Sequence, residues 1–132
     1  MGQWVASNHN NADEYIGSGL PFAFHIDDVD NNTSAQKVEF PYVTRWITVY
    51  AHAQDIRLGW TLNGVNGNPT NNFIVIKAGT HTGRLELKCT HIYLRADSAN
   101  NGQASIVAGY TNIPHKNFPT PLTGSANFSG VG

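Results

Sequence analysis

The chain has 132 residues, of which 40% are hydrophobic and only 13% are Asp, Glu, Lys or Arg, and its formal net charge is −1. This length fits one domain with a single core, because a chain of about 150 residues buries roughly two-thirds of its unfolded surface. The few Lys and Arg residues are scattered, so the composition argues against an electrostatic grip on nucleic acid.

Residues 1–19 are polar and rich in turn-forming residues, yet they contain two isolated aromatic side chains, Trp4 and Tyr15. A segment that stays in solvent gains nothing from aromatic side chains, whereas a segment that docks uses them as anchors. We therefore predict an N-terminal arm over 1–19, with Trp4 and Tyr15 as partner-binding residues. The alternative is that the arm folds back onto its own domain.

The start of the chain lacks the basic and apolar pattern of a leader peptide. No apolar run reaches the length of a membrane span. We therefore expect synthesis in the cytoplasm and no membrane partner.

Residues 20–113 read as short antiparallel strands. Besides YVTRWITVYAH, the strand-like segments are PFAFHID, QKVEFP, DIRLGWTLNG, NFIVIKAG, RLELKC, HIYLRAD and QASIVAGY, and Asn- and Gly-rich turns separate them. No segment keeps a helical apolar stripe, so no helix is predicted. About eight such strands predict an all-β, antiparallel two-sheet β-sandwich with jelly-roll topology.

The segment YVTRWITVYAH contains the aromatic residues that most resemble a binding surface. Along this segment an aliphatic set alternates with a second set, so the two sets lie on opposite faces. The aliphatic set is Val43, Ile47 and Val49, and the second set is Thr44, Trp46, Thr48 and Tyr50. This period of two is typical of a half-buried strand, so one set faces the other sheet. If the aliphatic set faces inward, the aromatic pair faces outward as a subunit contact or as a platform for sugar rings. The alternative is a strand covered on both faces.

The last segment, 114–132, is rich in Pro and Gly and again carries isolated aromatics, Phe118 and Phe128. Proline removes a backbone donor and fixes φ, so neither a helix nor a central strand runs through this segment. We predict a C-terminal arm in which Phe118 and Phe128 bind a partner. The predicted organisation is thus 1–19 arm, 20–113 sandwich and 114–132 arm.

One loop has the ligand spacing of a calcium-binding helix–loop–helix. Counted from Asp28, oxygen ligands recur at Asp30 and Asn32, and Glu39 occupies the twelfth position. However, the sixth position holds Thr33 rather than Gly, and the flanks read as strands. A polar loop between strands is the favoured interpretation, so no metal site is predicted.

Catalytic patterns are equally weak. No GxSxG motif occurs, and the six histidines include no HExxH motif. Cys89 and His91 fall on one face of a strand, but two ligands do not complete a zinc site. We therefore predict no catalytic residue, no cofactor and no enzymatic activity.

Four segments in chain order, FPYVTRWITVYA, DIRLGWTLNGVNG, NFIVIKAGTHTGRLELKCTHIYLRAD and ASIVAGYTNIP, carry a family resemblance. Over about residues 38–114 the chain resembles small virion structural proteins of tailed bacteriophages, of the kind that decorate or cement the capsid. The resemblance implies a β-sandwich that bridges neighbouring capsid subunits as a homo-oligomer, a trimer or a dimer. The implied partners are the major capsid protein and copies of the chain itself, at the capsid surface of the virion. Collar, tail or fibre locations stay open.

A carbohydrate-binding adhesion module of a phage head or tail appendage is the competing hypothesis. It depends on Trp46, Tyr50 and Trp60, together with Asn-rich loops able to form hydrogen bonds with sugars.

Overall fold

A computed structural model describes residues 20–68 and 70–117 of the chain. In this part the strands are β1 (Pro21–Val29), β2 (Gln36–Glu39), β3 (Tyr42–His52), β4 (Ile56–Gly59), β5 (Phe73–Ile76), β6 (His91–Ala96) and β7 (Gly102–Pro114). One α-helix, α1 (Leu62–Asn66), follows β4, and a 3-10 turn (His115–Asn117) follows β7. The predicted arms lie almost entirely outside the described residues.

The strands form two antiparallel sheets, sheet A in the order β1-β7-β3 and sheet B in the order β2-β6-β4-β5. The segment 79–89 runs along the other edge of β3, where Ile47 and Leu85 exchange backbone hydrogen bonds of 2.9 and 2.8 Å. With this segment in the eighth place, each sheet has four members and most connections cross between the sheets. This is the jelly-roll arrangement. The predicted all-β two-sheet sandwich is confirmed.

The predicted strand RLELKC is this eighth segment, and it forms isolated bridges rather than a regular ladder. Its alternation still has the predicted effect, since Leu85 and Leu87 pack against the core and Cys89 is buried. The pattern therefore indicated the inward face correctly and overestimated the regularity of the backbone.

The core lies between the sheets. It is built from aliphatic side chains that alternate along the strands, as period-two patterning requires. Fully buried members include Val29, Ile47, Val49, Ile56, Leu58, Ile92, Leu94 and Ile106. Val43, which was expected to face inward with Ile47 and Val49, is also fully buried but lies outside this cluster, as does Ile113.

One end of the core is closed by aromatic rings. Phe22, Phe40 and Tyr110 pack with ring centroids 5.2 to 6.0 Å apart, at tilted or edge-to-face angles. The rings meet at the bend where the chain leaves β2 for β3, so this cluster joins the two sheets.

A bulge near the start of β3 corrects one prediction. The register of β3 against β7 shifts on both sides of Thr44, which turns this residue inward instead of outward beside Trp46. Thr44 is fully buried; its hydroxyl donates to the Leu87 carbonyl at 2.7 Å and accepts from the Cys89 amide at 3.0 Å. Strict alternation missed this because a bulge inserts one unpaired residue.

Helix α1 contradicts the prediction that no helix forms and that a strand continues to Leu62. Thr61 caps its start by accepting from the Gly64 amide at 3.0 Å, and Gly67 ends it with φ of 76°. A helix of five residues is too short to show a period of 3.6.

Two arginines from the outer face of sheet B hold the end of α1. Arg57 donates to the Val65 carbonyl at 3.2 Å, and Arg95 donates to the Asn66 carbonyl at 3.4 Å. The two cations are directly paired between β4 and β6. The negative end of the helix and the carboxylate of Asp97, 2.9 Å from Arg57 Nε, offset their repulsion.

The contact of Trp46 with Gly109 yields a stability prediction. A Cβ on Gly109 would overlap the Trp46 indole, with Cε2 only 2.8 Å away. We therefore expect Gly109→Ala to lower the free energy of unfolding by about 1–3 kcal/mol in urea denaturation. In a Trp46→Ala background the same substitution should have less than half this effect, because the overlapping ring is gone. An equal effect in both backgrounds would contradict the close approach.

Candidate functional site

Of the six predicted partner-binding residues, only Trp46 and Tyr50 fall in the described part of the chain. Both project from the outer face of sheet A, which is one of the two arrangements that the sequence left open. Trp4, Tyr15, Phe118 and Phe128 lie outside the described residues. The structure therefore bears on the surface predicted in β3 and leaves the anchors in the arms as predictions.

The two outward aromatics have different surroundings. The Trp46 indole lies half-buried over the backbone of Gly109, with the Arg84 guanidinium carbon 5.1 Å from its ring centroid. Tyr50 is exposed and contacts the His81 ring at a centroid distance of 5.1 Å. Trp46 is thus held by two neighbours, whereas Tyr50 is the more accessible of the pair.

The middle of this face holds a hydrogen-bonded cluster that sequence patterns did not reveal. Ser105 Oγ lies 2.8 Å from His25 Nδ1 and 3.1 Å from His52 Nε2. His25 Nε2 lies in turn 3.2 Å from a carboxylate oxygen of the largely exposed Asp27. Strand register brings these groups together, since Ser105 in β7 is paired with His25 in β1 and with Tyr50 in β3.

The order Ser105, His25, Asp27 resembles a nucleophile, base and acid relay. The surroundings of Ser105 lack the oxyanion-binding donors that such a relay needs. Because β7 is the central strand of sheet A, the backbone amides around Ser105 are paired on both sides and offer no oxyanion-binding donors. The cluster is better described as a side-chain hydrogen-bond network that links β1, β7 and β3.

The loop with calcium-like spacing is bonded to its neighbours. The Asn31 side chain donates to the Ala96 and Asp97 carbonyls at 3.0 and 2.7 Å. Glu39 pairs with Lys37 at 2.9 Å, far along β2 from the turn. In residues 20–68 and 70–117 no group of three or more His, Cys, Asp or Glu is placed to hold a metal ion.

The aromatics proposed for sugar binding do not form one platform. Trp46 and Tyr50 lie on the outer face of sheet A, whereas Trp60 packs against the core beside sheet B. His91 holds this region in place; its Nε2 donates to the Trp60 carbonyl at 2.9 Å and its Nδ1 accepts from the Thr90 hydroxyl at 3.1 Å. Trp60 therefore does not share a surface with Trp46 and Tyr50, and the carbohydrate-binding hypothesis stays a prediction.

Large apolar side chains are exposed on strands that end the sheets. On β1 and the residue before it, Phe24 is 47% and Leu20 is 51% exposed. On β5, Ile74 is 44% and Val75 is 39% exposed. β1 ends sheet A and β5 ends sheet B, so within the described chain each has one unpaired backbone edge. These two "apolar edges" are surfaces that the sequence did not single out, because a strand's place in a sheet is set by topology.

Comparisons with protein families, curated proteins and solved structures yielded no match. No helix among the described residues is both long enough and apolar enough to cross a membrane.

The partly buried position of His91 predicts a pH dependence of stability. Burial lowers the pKa of His91 below its ordinary value of 6.5, so the folded state favours the neutral ring. Its contribution to stability is complete above pH 6.5 and is lost as pH falls through the lowered pKa. The pKa values of the Glu39 and Asp55 carboxyls are also lowered. Their contributions to stability are lost only when the pH falls below the ordinary pKa values of 4.5 and 3.8, which is outside the pH range tested for His91.

We therefore expect the temperature midpoint of thermal unfolding to decrease as the pH is lowered from 7 to 5. The fall should be smaller in His91→Gln, whose amide can still donate to the Trp60 carbonyl but does not titrate. Scanning calorimetry at half-unit pH intervals measures both slopes. If the unfolding midpoint depends on pH with the same slope in the unmodified protein and in His91→Gln, His91 does not cause the loss of stability.

Proposed function

We propose that this chain is a non-enzymatic structural protein of a phage virion that decorates or cements the capsid by bridging neighbouring capsid subunits. The observation that carries the proposal is the pair of apolar edges on a sandwich whose surface has few charges. The resemblance of residues 38–114 to phage decoration proteins supplies the identity of the partner.

The apolar edges combine two features that favour addition of another chain. An unpaired strand edge offers backbone donors and acceptors to an incoming strand. Exposed Phe, Leu, Ile and Val side chains supply apolar area that such a strand can cover. Moreover, β5 contains neither a charged residue nor a proline, the residue types that commonly block edge pairing.

The apolar edges are too small for one copy of the chain to bind tightly, which favours an oligomer. Fully burying one such side chain gains about 1.5–3 kcal/mol, so a half-exposed one gains about 1 kcal/mol. Four of them give on the order of 4 kcal/mol, which corresponds to about millimolar affinity before the costs of association. Several linked copies would multiply weak contacts into stable attachment. This supports homo-oligomeric binding, as a dimer or trimer.

The arms fit the same role. The 3-10 turn fixes the start of the C-terminal segment, because the His115 amide donates to the Pro41 carbonyl at 3.0 Å and its Nδ1 donates to the Phe40 carbonyl at 2.9 Å. Nearby, the Tyr110 hydroxyl is buried and has no hydrogen-bond partner among residues 20–68 and 70–117. An arm that adds Phe118 and Phe128 would enlarge the contact, and its prolines limit the entropy lost on ordering.

A charge placed on an apolar edge should weaken attachment. Val75→Lys changes a side chain that is already 39% exposed, so folding should be retained. We expect at least about tenfold weaker binding to capsids of the encoding phage assembled without this protein, measured by co-sedimentation. Phe24→Lys should act in the same direction.

Ala99→Lys is the matched control, since it adds the same charge to an exposed loop between β6 and β7. Its binding should equal that of the unmodified protein. The proposal fails if both edge variants bind as well as this control.

Removal of residues 118–132 tests the C-terminal arm separately. The 3-10 turn and its bonds to Phe40 and Pro41 are kept, so the sandwich should keep its circular dichroism and unfolding midpoint. Association with the same capsids should fall by at least about tenfold, because the aromatic anchors are lost. A large fall in the unfolding midpoint would instead indicate an arm folded onto its own domain.

A further inference from the structure

A concave site of about 430 Å³ lies on the outer face of sheet B, next to the turn that leads into α1. This volume is within the range of small-molecule sites in proteins. Its lining comes from β2, β6 and the β4–α1 turn: Lys37, Trp60, Thr61, Leu62, Asn63, His91 and Tyr93. We refer to it as the sheet B pocket.

The walls of the pocket are held by bonds internal to the fold. The His91 ring is fixed between the Trp60 carbonyl and the Thr90 hydroxyl. Thr61 is fixed by its cap on α1, which also sets the position of the exposed Leu62 and Asn63. A ligand would therefore meet a preformed site and lose little free energy to ordering it.

One aromatic ring provides a surface for stacking. Tyr93 is half-buried and lies edge-to-face with His91 at a centroid distance of 5.6 Å and an angle of 86°. The Lys37 ammonium lies 5.9 Å from the Tyr93 centroid. Leu62 adds exposed apolar surface on the opposite wall.

The polar groups of the pocket are balanced in charge. Lys37 Nζ pairs with Glu39 Oε1 at 2.9 Å; this pairing raises the pKa of Lys37 and lowers that of Glu39. Glu39 lies beside the pocket rather than in its lining, and its carboxylate balances the charge of Lys37, while the Asn63 amide adds a hydrogen-bond donor and an acceptor within the pocket. This favours a neutral ligand with many hydroxyls over an anion or a cation.

We propose that the sheet B pocket binds a neutral saccharide unit, with the apolar face of a hexose ring on Tyr93 and its hydroxyls on Lys37 and Asn63. The pocket lies on a sheet face, away from the apolar edges on which the capsid proposal rests. A glycan contact and capsid attachment could therefore operate in the same molecule.

The test is an NMR titration of the full chain with methyl glycosides of glucose, galactose, mannose and N-acetylglucosamine. We expect amide shifts that saturate and that centre on residues 61–63 and 91–93 for at least one of these sugars. Tyr93→Ala should weaken that binding at least about tenfold, whereas Tyr93→Phe should keep most of it because stacking remains. Lys37→Met should also weaken it, through loss of the ammonium donor.

Glu86→Ala is the control, because it removes an exposed side chain from the segment beside the opposite sheet, and it should leave the titration unchanged. Either no saturable shift with any of the four sugars or equal binding by Tyr93→Ala would overturn the proposal. Capsid association of Tyr93→Ala separates the two proposals. It should stay unchanged if the pocket and the apolar edges act independently.

Discussion

The architecture depends on two neighbouring stretches of backbone that pass from one sheet to the other while staying paired. Residues 36–52 run antiparallel to residues 79–96, first in sheet B and then in sheet A. The Phe40 amide, which donates to the Thr90 carbonyl at 2.9 Å, continues the pairing through the bend. Since backbone groups buried without partners are costly, this continuity allows the chain to change sheets inside the core. The rings of Phe22, Phe40 and Tyr110 fill the space that the bend creates.

This construction separates the surfaces of the molecule by type. The inner faces are filled by aliphatic side chains, and the outer face of sheet A is occupied by bonded polar groups such as the cluster around Ser105. On the outer face of sheet B, Arg57 and Arg95 hold the end of α1, and the sheet B pocket lies beside the turn that leads into α1. Among residues 20–68 and 70–117, the apolar edges and the sheet B pocket are the surfaces on which the two binding proposals rest. The fold by itself assigns no activity, so both proposals rest on these local features.

The absence of a free oxyanion site near Ser105 illustrates how a sheet limits chemistry. A central strand has its amides committed to both neighbours, which leaves side chains as the only groups available to a substrate. The bonded arrangement of His25, Ser105 and His52 therefore stabilises the contact between three strands. Edges and loops, where backbone groups are unpaired, are the places where such a sandwich can bind other molecules.

The sequence by itself determined the all-β class and the inward-facing set of most strands, because alternation of apolar residues depends only on the period of an extended chain. It also placed Trp46 and Tyr50 on one face of their strand, but it left open whether that face is exposed or covered. It did not reveal α1, whose five residues are too few to show a period, or the inward turn of Thr44, which a bulge produces. Only the tertiary structure decided which strands became edges, that Trp60 lies apart from Trp46, and that Lys37, Asn63 and Tyr93 line one pocket. Those relations are set by the order of strands in the sheets, which joins residues far apart in the chain and leaves no local pattern.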